Sequence, residues 1–226
     1  MLFNGLSNTT RFLILISIIF LYITLPPFID LFSDSNTFFD IFFDILTTAI
    51  LVSTVFALNK NKRYLIISAL LVVPLILSIW QVRIIGNAVL GPTGLFFGIL
   101  FFLFTAFHIL KVIFSREYVT LEVIVGAIAV YLMLGIIWSI FYRFLETINP
   151  GSFSFAAHGE SFDPYSIVYF SFVTLTTLGY GDTVPLTPMA QSLTIVEALV
   201  GQIYLVVVVA WLVGMFISKK SVTKRK

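Results

Sequence analysis

The sequence predicts an all-α membrane protein of six transmembrane helices, with a shorter helix that enters and leaves one face between the fifth and sixth. Three observations carry this reading. The 226 residues are 59% hydrophobic and 11% charged, with a mean hydropathy of +1.07, whereas soluble domains carry about 25% charged residues. The apolar residues come in blocks that suit the roughly 20 helical residues needed to cross a hydrocarbon core of about 30 Å. The basic residues collect on alternate connections, as the positive-inside rule requires.

The spans are expected at 11–29, 38–58, 64–82, 94–114, 119–145 and 190–217. Pro26-Pro27 ends the first, Asn59-Lys60-Asn61-Lys62-Arg63 ends the second, and Gly91-Pro92-Thr93-Gly94 separates the third from the fourth. Pro74 lies inside the third span, where neighbouring helices tolerate a kink. With a cytoplasmic N-terminus, 11 of the 13 Lys and Arg residues fall inside: Arg11, Lys60, Lys62, Arg63, Lys111, Arg116, Lys219, Lys220, Lys224, Arg225 and Lys226. Arg83 and Arg143 remain outside, beside Asp30, Asp34, Glu146, Glu160, Asp163 and Asp182. An odd number of spans would scatter these charges, so both termini are expected in the cytoplasm. The first apolar block follows a single basic residue, Arg11, and no small-residue cleavage site, so it is expected to stay as a span rather than leave as a signal peptide.

Between the last two spans, Asp163-Pro164 reads as a helix start, with Asp as N-cap and Pro at the first helical position. The apolar run from Pro164 to Thr176 is too short to cross a bilayer, so it should be re-entrant and shielded by protein. Its C-terminal dipole end would point toward the membrane centre, where partial negative charge favours a cation. The string that follows is Thr174-Leu175-Thr176-Thr177-Leu178-Gly179-Tyr180-Gly181-Asp182.

Within it, Thr177-Leu178-Gly179-Tyr180-Gly181 resembles the selectivity filter of potassium channels, in which Val stands where this chain has Leu178. The resemblance implies that the carbonyls of Thr177, Leu178, Gly179 and Tyr180, with the Thr177 hydroxyl, hold dehydrated K⁺. Gly179 and Gly181 permit the backbone angles this needs. Thr176, Asp182, Tyr169 and Phe170 are the implied supports: Tyr180 would brace against Tyr169 and Phe170, and Asp182 would mark the outer mouth or hydrogen-bond to Tyr169. A complete ring needs four filters and the chain holds one, so a fourfold homotetramer of tetrameric ion-channel architecture is implied.

In the sixth span Gly201 lies twenty residues beyond Gly181. The resemblance makes it a gating hinge, while close helix packing is the other reading of a small residue in a membrane. Gln202, Leu205, Val206 and Val209 are then the candidates to line the water-filled cavity. Glu197, one turn before Gly201, is an acid in an apolar span, where it costs about 2.5–3.5 kcal/mol at the centre. It either tunes the filter from behind the short helix or is a protonated, hydroxyl-paired structural residue.

The expected division is 1–118 for a four-helix region, 119–218 for the pore and 219–226 for a basic cytoplasmic tail. Six spans with the pore last resemble voltage-gated channels, whose fourth span needs arginines moving about 3–4 charges per subunit. Here that span contains no arginine and a single lysine, Lys111, at its inner end, which argues against strong voltage gating. Asp40 and Asp44 share a helix face, either solvated at a helix start or binding a cation or Arg83. His108 reads as packed and neutral or as pH-responsive, and His158 as exposed.

The chain contains no cysteine, which excludes disulfides and Cys-ligated metals. No histidine pair has metal-ligand spacing. No cofactor motif and no nucleophile–base pair is visible, so the chain reads as no enzyme, with no cofactor beyond K⁺ as permeant ion and no nucleic-acid partner. With about nine residues after the sixth span, no cytoplasmic ligand-binding domain is expected there. The tail Lys219-Lys220-Ser221-Val222-Thr223-Lys224-Arg225-Lys226 suits anionic lipid or simple anchoring. Taken together, the sequence reads as a passive K⁺-selective channel of the cell membrane. A nonselective cation channel, disfavoured by Tyr180, and a modulatory subunit are the alternatives. A transporter built from degenerate pore-loop repeats would need several such loops in one chain.

Overall fold

The computed structural model describes residues 7–26, 28, 36–57, 62–85, 91–155 and 164–223, with the backbone alone at 36–40, 62, 82–83, 85, 164 and 218–223. Within these, α1 spans Asn8–Thr24, α2 Asn36–Ala57, α3 Lys62–Ile85, α4 Gly91–Phe114, α5 Leu121–Ile148, α6 Pro164–Leu175 and α7 Pro188–Thr223. Two short strands, β1 (Phe153–Ser154) and β2 (Val184–Pro185), pair antiparallel with Phe153 opposite Pro185. Among the described residues, four segments are long and apolar enough to cross a membrane: Arg63–Gln81, Gly91–Phe114, Leu121–Ile148 and Pro188–Ile217. Asn8–Thr24 and Ile41–Ala57 are shorter apolar helices, as is Tyr165–Leu175.

The helix ends follow local chemistry and correct several expected boundaries. Ser7 caps α1 by accepting from the Thr10 amide at 3.2 Å. The helix stops at Thr24, short of the expected 29: Leu25 keeps helical angles as C-cap and donates to Leu21 O at 2.9 Å, and Pro26 has no N–H to continue the ladder. Gly91-Pro92-Thr93-Gly94 opens α4 instead of separating it from α3. Pro92 sits in the first turn, where its missing N–H has no helical partner to lose. Thr120 caps α5, and α7 continues to Thr223, so Lys219 and Lys220 lie on the helix and not in a separate tail. Asp30, Asp34, Lys60, His158, Glu160, Asp163 and 224–226 lie outside the described residues, as do the side chains of Asp40 and Arg83.

Helix α5 is the centre of the packing, with α1 and α4 on one side and α6 and α7 on the other. Its Met133, Ile137, Tyr142 and Leu145 are buried. At its start Glu122 accepts from Asn8 of α1 and from Arg116 at 2.9 Å. Near the far end of α1, the Tyr165 hydroxyl of α6 donates to the Ile23 carbonyl at 3.0 Å. Helix α1 therefore runs beside α5 in the same direction. Helix α7 runs against it: Tyr204 donates to the Ala127 carbonyl at 2.7 Å, and Trp211 meets Phe114 edge to face at 4.6 Å. The start of α1, the end of α4, the start of α5 and the later part of α7 thus share one end of the molecule.

Helices α3 and α4 approach most closely at two glycines, four residues apart on one face. A Cβ at Gly94 would collide with the Ser78 side chain, and one at Gly98 would lie 2.8 Å from Leu75 Cδ2. His108 of α4 packs against Tyr64 of α3, ring centres 4.1 Å apart and planes tilted by 47°. Replacing Gly98 with Ile overfills this contact and is expected to cost about 1–3 kcal/mol, read as a lower unfolding midpoint in detergent. Gly214→Ala, in a helix interior with no atom within 4 Å of the added carbon, should hold or slightly raise the midpoint.

Candidate functional site

Helix α6 ends in a tight reversal made by its own backbone. The Thr177 amide donates to Thr174 O and the Leu178 amide to Val173 O, both at 2.9 Å, with Thr177 at φ +60°. This is the Schellman arrangement, in which the left-handed residue is usually glycine. A threonine there costs about 1–2 kcal/mol. The left-handed conformation then recurs at every second position, with Gly179 at φ +58° and Gly181 at φ +80°, while Leu178 and Tyr180 between them keep negative φ. No atom lies within 4 Å of a Cβ built on either glycine. Backbone angle, not space, is therefore what requires glycine at both positions. Residues 176–181 are exposed in the single chain.

The exit from this segment is tied down. Asp182 accepts from the Tyr169 hydroxyl at 2.7 Å and from the Thr183 amide at 3.0 Å. Desolvation and the Asp182 carboxylate push the Tyr169 phenol up to about 12, so it remains a donor at neutral pH. Next along the chain, β2 pairs with β1, and the Leu186 amide reaches Ser152 O at 2.8 Å. Glu146, at the end of α5, accepts from the Gly151 amide at 2.7 Å and the Phe153 amide at 3.2 Å. The Thr176 hydroxyl turns back to Phe172 O at 2.7 Å.

Within the chain Phe170 packs between Tyr142 and Phe153, with ring centres 5.2 and 5.5 Å away. One residue along a helix turns a side chain by about 100°, so Tyr169 and Phe170 cannot both serve the same side. Tyr180 is 67% exposed in the single chain.

Behind α6, Glu197 of α7 is fully buried and accepts from Tyr142 of α5. Its other oxygen lies 2.6 Å from the Ser171 hydroxyl of α6, which also reaches the Gly135 carbonyl of α5 at 2.7 Å. Tyr142 and Ser171 carried no signal in the sequence, being neutral residues on helices far apart in the chain. One turn on, a Cβ at Gly201 would lie 2.6 Å from Leu175 O and 2.9 Å from Leu175 Cδ1. Close approach alone explains this glycine, and α7 runs through it without a break. Gln202, Leu205, Val206 and Val209 are exposed, at the i, i+3, i+4, i+7 spacing of one helix face.

Residues 119–218 match the family model described as "Ion channel". The matched stretch holds α5, α6, the 177–181 segment and most of α7, less than half of the chain. No curated protein and no solved structure matches the chain. The matched stretch and the apolar helices together support a membrane ion channel. Among the described residues there is no group of three or more His, Cys, Asp or Glu residues that could hold a metal ion.

Tyr169→Phe deletes a hydrogen bond to a carboxylate, and a loss of about 1.5 kcal/mol is expected, read as faster amide hydrogen exchange at Thr183. The neutral phenol is the donor. Its contribution is therefore fully present below the ordinary tyrosine value of 10.0 and is lost as pH rises through about 12.

Proposed function

We propose that the protein is a potassium-selective channel in which four copies of the chain surround one pore. The observation that carries this is the left-handed backbone at Thr177, Gly179 and Gly181, alternating with Leu178 and Tyr180. In an ordinary extended strand successive carbonyls point to opposite sides. Alternating left- and right-handed residues turn them to the same side, so four such segments around an axis supply stacked rings of oxygens. Those rings replace the hydration shell of a K⁺ ion. Leu178 and Tyr180 point away from the axis in this arrangement, so the Leu178 carbonyl does the same work as that of valine.

The rest of the proposal follows from this geometry. Six spans, with α6 re-entrant from the outer face, put both termini in the cytoplasm and agree with the bias of the basic residues. The negative end of the α6 dipole faces the ion path, and Gln202, Leu205, Val206 and Val209 line the cavity below. Gly201 is the point at which α7 bends if the pore opens by bending. The four-helix region is a scaffold without a charged sensor, since α4 carries no arginine. Anionic lipid is the partner of the basic end of α7.

Purified protein in liposomes with a K⁺ gradient tests the proposal. Flux of K⁺ but not of Na⁺, blocked by Ba²⁺, is the expected result, with a mass of four chains in detergent. Equal Na⁺ flux or a monomer would overturn it. Gly179→Ala forces a methyl-bearing residue into the left-handed region, which costs about 1–2 kcal/mol in each copy. This variant should assemble and fail to conduct.

A further inference from the structure

Hydrogen bookkeeping at Glu197 assigns a proton that the sequence leaves open. The Ser171 hydroxyl carries one hydrogen, yet it lies within hydrogen-bond distance of two acceptors, the Gly135 carbonyl at 2.7 Å and Glu197 Oε1 at 2.6 Å. A carbonyl only accepts, and an ionised carboxylate only accepts. Both contacts, at these short distances, are full two-centre bonds in one arrangement: Ser171 donates to Gly135, and Glu197 carries a proton on Oε1 that it donates to Ser171 Oγ. Tyr142 then donates to Oε2. Thr194 is no alternative source, since its own hydroxyl donates to Ala190 O at 2.8 Å.

We propose that Glu197 is a protonated positioning residue that fastens α6 to α5 and α7 behind the conducting segment, and that loss of its proton weakens conduction. The consequence for conduction rests on the channel reading above; the proton does not. Once ionised, the carboxylate takes the single Ser171 hydrogen, and the link from α6 to Gly135 of α5 is given up. Helix α6 ends at the Leu175 carbonyl, which packs against Gly201 of α7 and receives the Tyr131 hydroxyl of α5 at 3.4 Å. A shift of α6 at Ser171 therefore reaches Thr177 within two turns of backbone. The titratable groups facing Glu197 are Tyr142 and Tyr131, both from α5. Helix α6 presents the neutral Ser171, α7 itself presents Thr194, and β2 (Val184–Pro185) contains no titratable residue. Among the described residues no cation stands against it. The direction is fixed: the linked state holds the proton, so the link is lost as pH rises.

Infrared difference spectra of the full-length protein against Glu197→Gln test the proton directly. A carboxylic-acid carbonyl band present in the wild type at neutral pH and missing from E197Q is expected. Its frequency should move in Ser171→Ala, which removes the acceptor. Absence of the band from the wild type overturns the assignment whether or not the protein conducts. In liposomes, wild-type K⁺ flux should fall severalfold from neutral to alkaline pH. In E197Q, whose amide donates to Ser171 and accepts from Tyr142 at every pH, the ratio of the two fluxes should stay near unity. An E197Q ratio equal to that of the wild type overturns the coupling to conduction. If no variant conducts K⁺, the channel reading fails while the infrared band still decides the proton.

Discussion

A chain that enters an apolar layer and turns back halfway must find protein partners for every polar group it carries, because no water is there to take them. Helix α6, re-entrant in the channel proposed above, meets this constraint from all sides. Its last carbonyls are taken by the amides of Thr177 and Leu178, and Leu175 O receives the Tyr131 hydroxyl. Ser171 reaches α5 and α7 together, and on the opposite side Tyr169 reaches Asp182. Hydrophobic burial cannot hold such a helix in place, since lipid tails are as apolar as leucine. Directional bonds to separate elements fix its position instead, and with it the start of the 177–181 segment.

Helix α7 poses the converse problem. Its most apolar window is 11% buried, against 67% for α5, although the two have similar hydropathies of 2.3 and 2.5. Lipid can cover the valines and isoleucines of that face. Lipid cannot cover the backbone of residues 176–181, which is also exposed in the single chain; irregular backbone at membrane depth is tolerated only when buried in protein or lining a water-filled path. The assembly proposed above, further copies of the chain around a hydrated axis, would satisfy both conditions together, with α7 the helix left open to receive them. The exposed 176–181 segment, like the count of one such segment per chain, supports the fourfold assembly proposed above.

Those features of the site that depend on one residue's own backbone were legible in the sequence. Gly179 and Gly181 stand out because a left-handed φ admits little else, and the α6 run stands out by its length. Features that depend on helix rotation or on distant partners were not. Tyr169 and Phe170 are adjacent aromatics, and nothing local says which one turns toward Asp182 and which toward Tyr142. Glu197 was visible as an anomaly, but its partners lie 55 and 26 residues away and are neutral. Pro92 was ambiguous for a physical reason, since a proline suits a first helical turn as well as a break between helices. The Gly94–Gly98 spacing was present and carried the α3–α4 contact.

The scaffold reading of the first four helices can be taken a step further through α1. One end of this helix is bound to the start of α5 through Asn8 and Glu122, where Arg116 also joins. The other end is bound to the start of α6 through Ile23 and Tyr165. Helix α1 is therefore a strut of fixed length, about 1.5 Å per residue, set between the start of α5 and the start of α6. The connection from α4 to α5 is only the six residues 115–120, too short for a separate lever. Helix α4 has no arginine and only Lys111 in its last turn, so it offers little charge for a membrane field to drive. What the four helices can transmit is packing: a displacement of α1 along α5 acts on Tyr165 from one side, while Ser171 and Glu197 act on the same helix from the other.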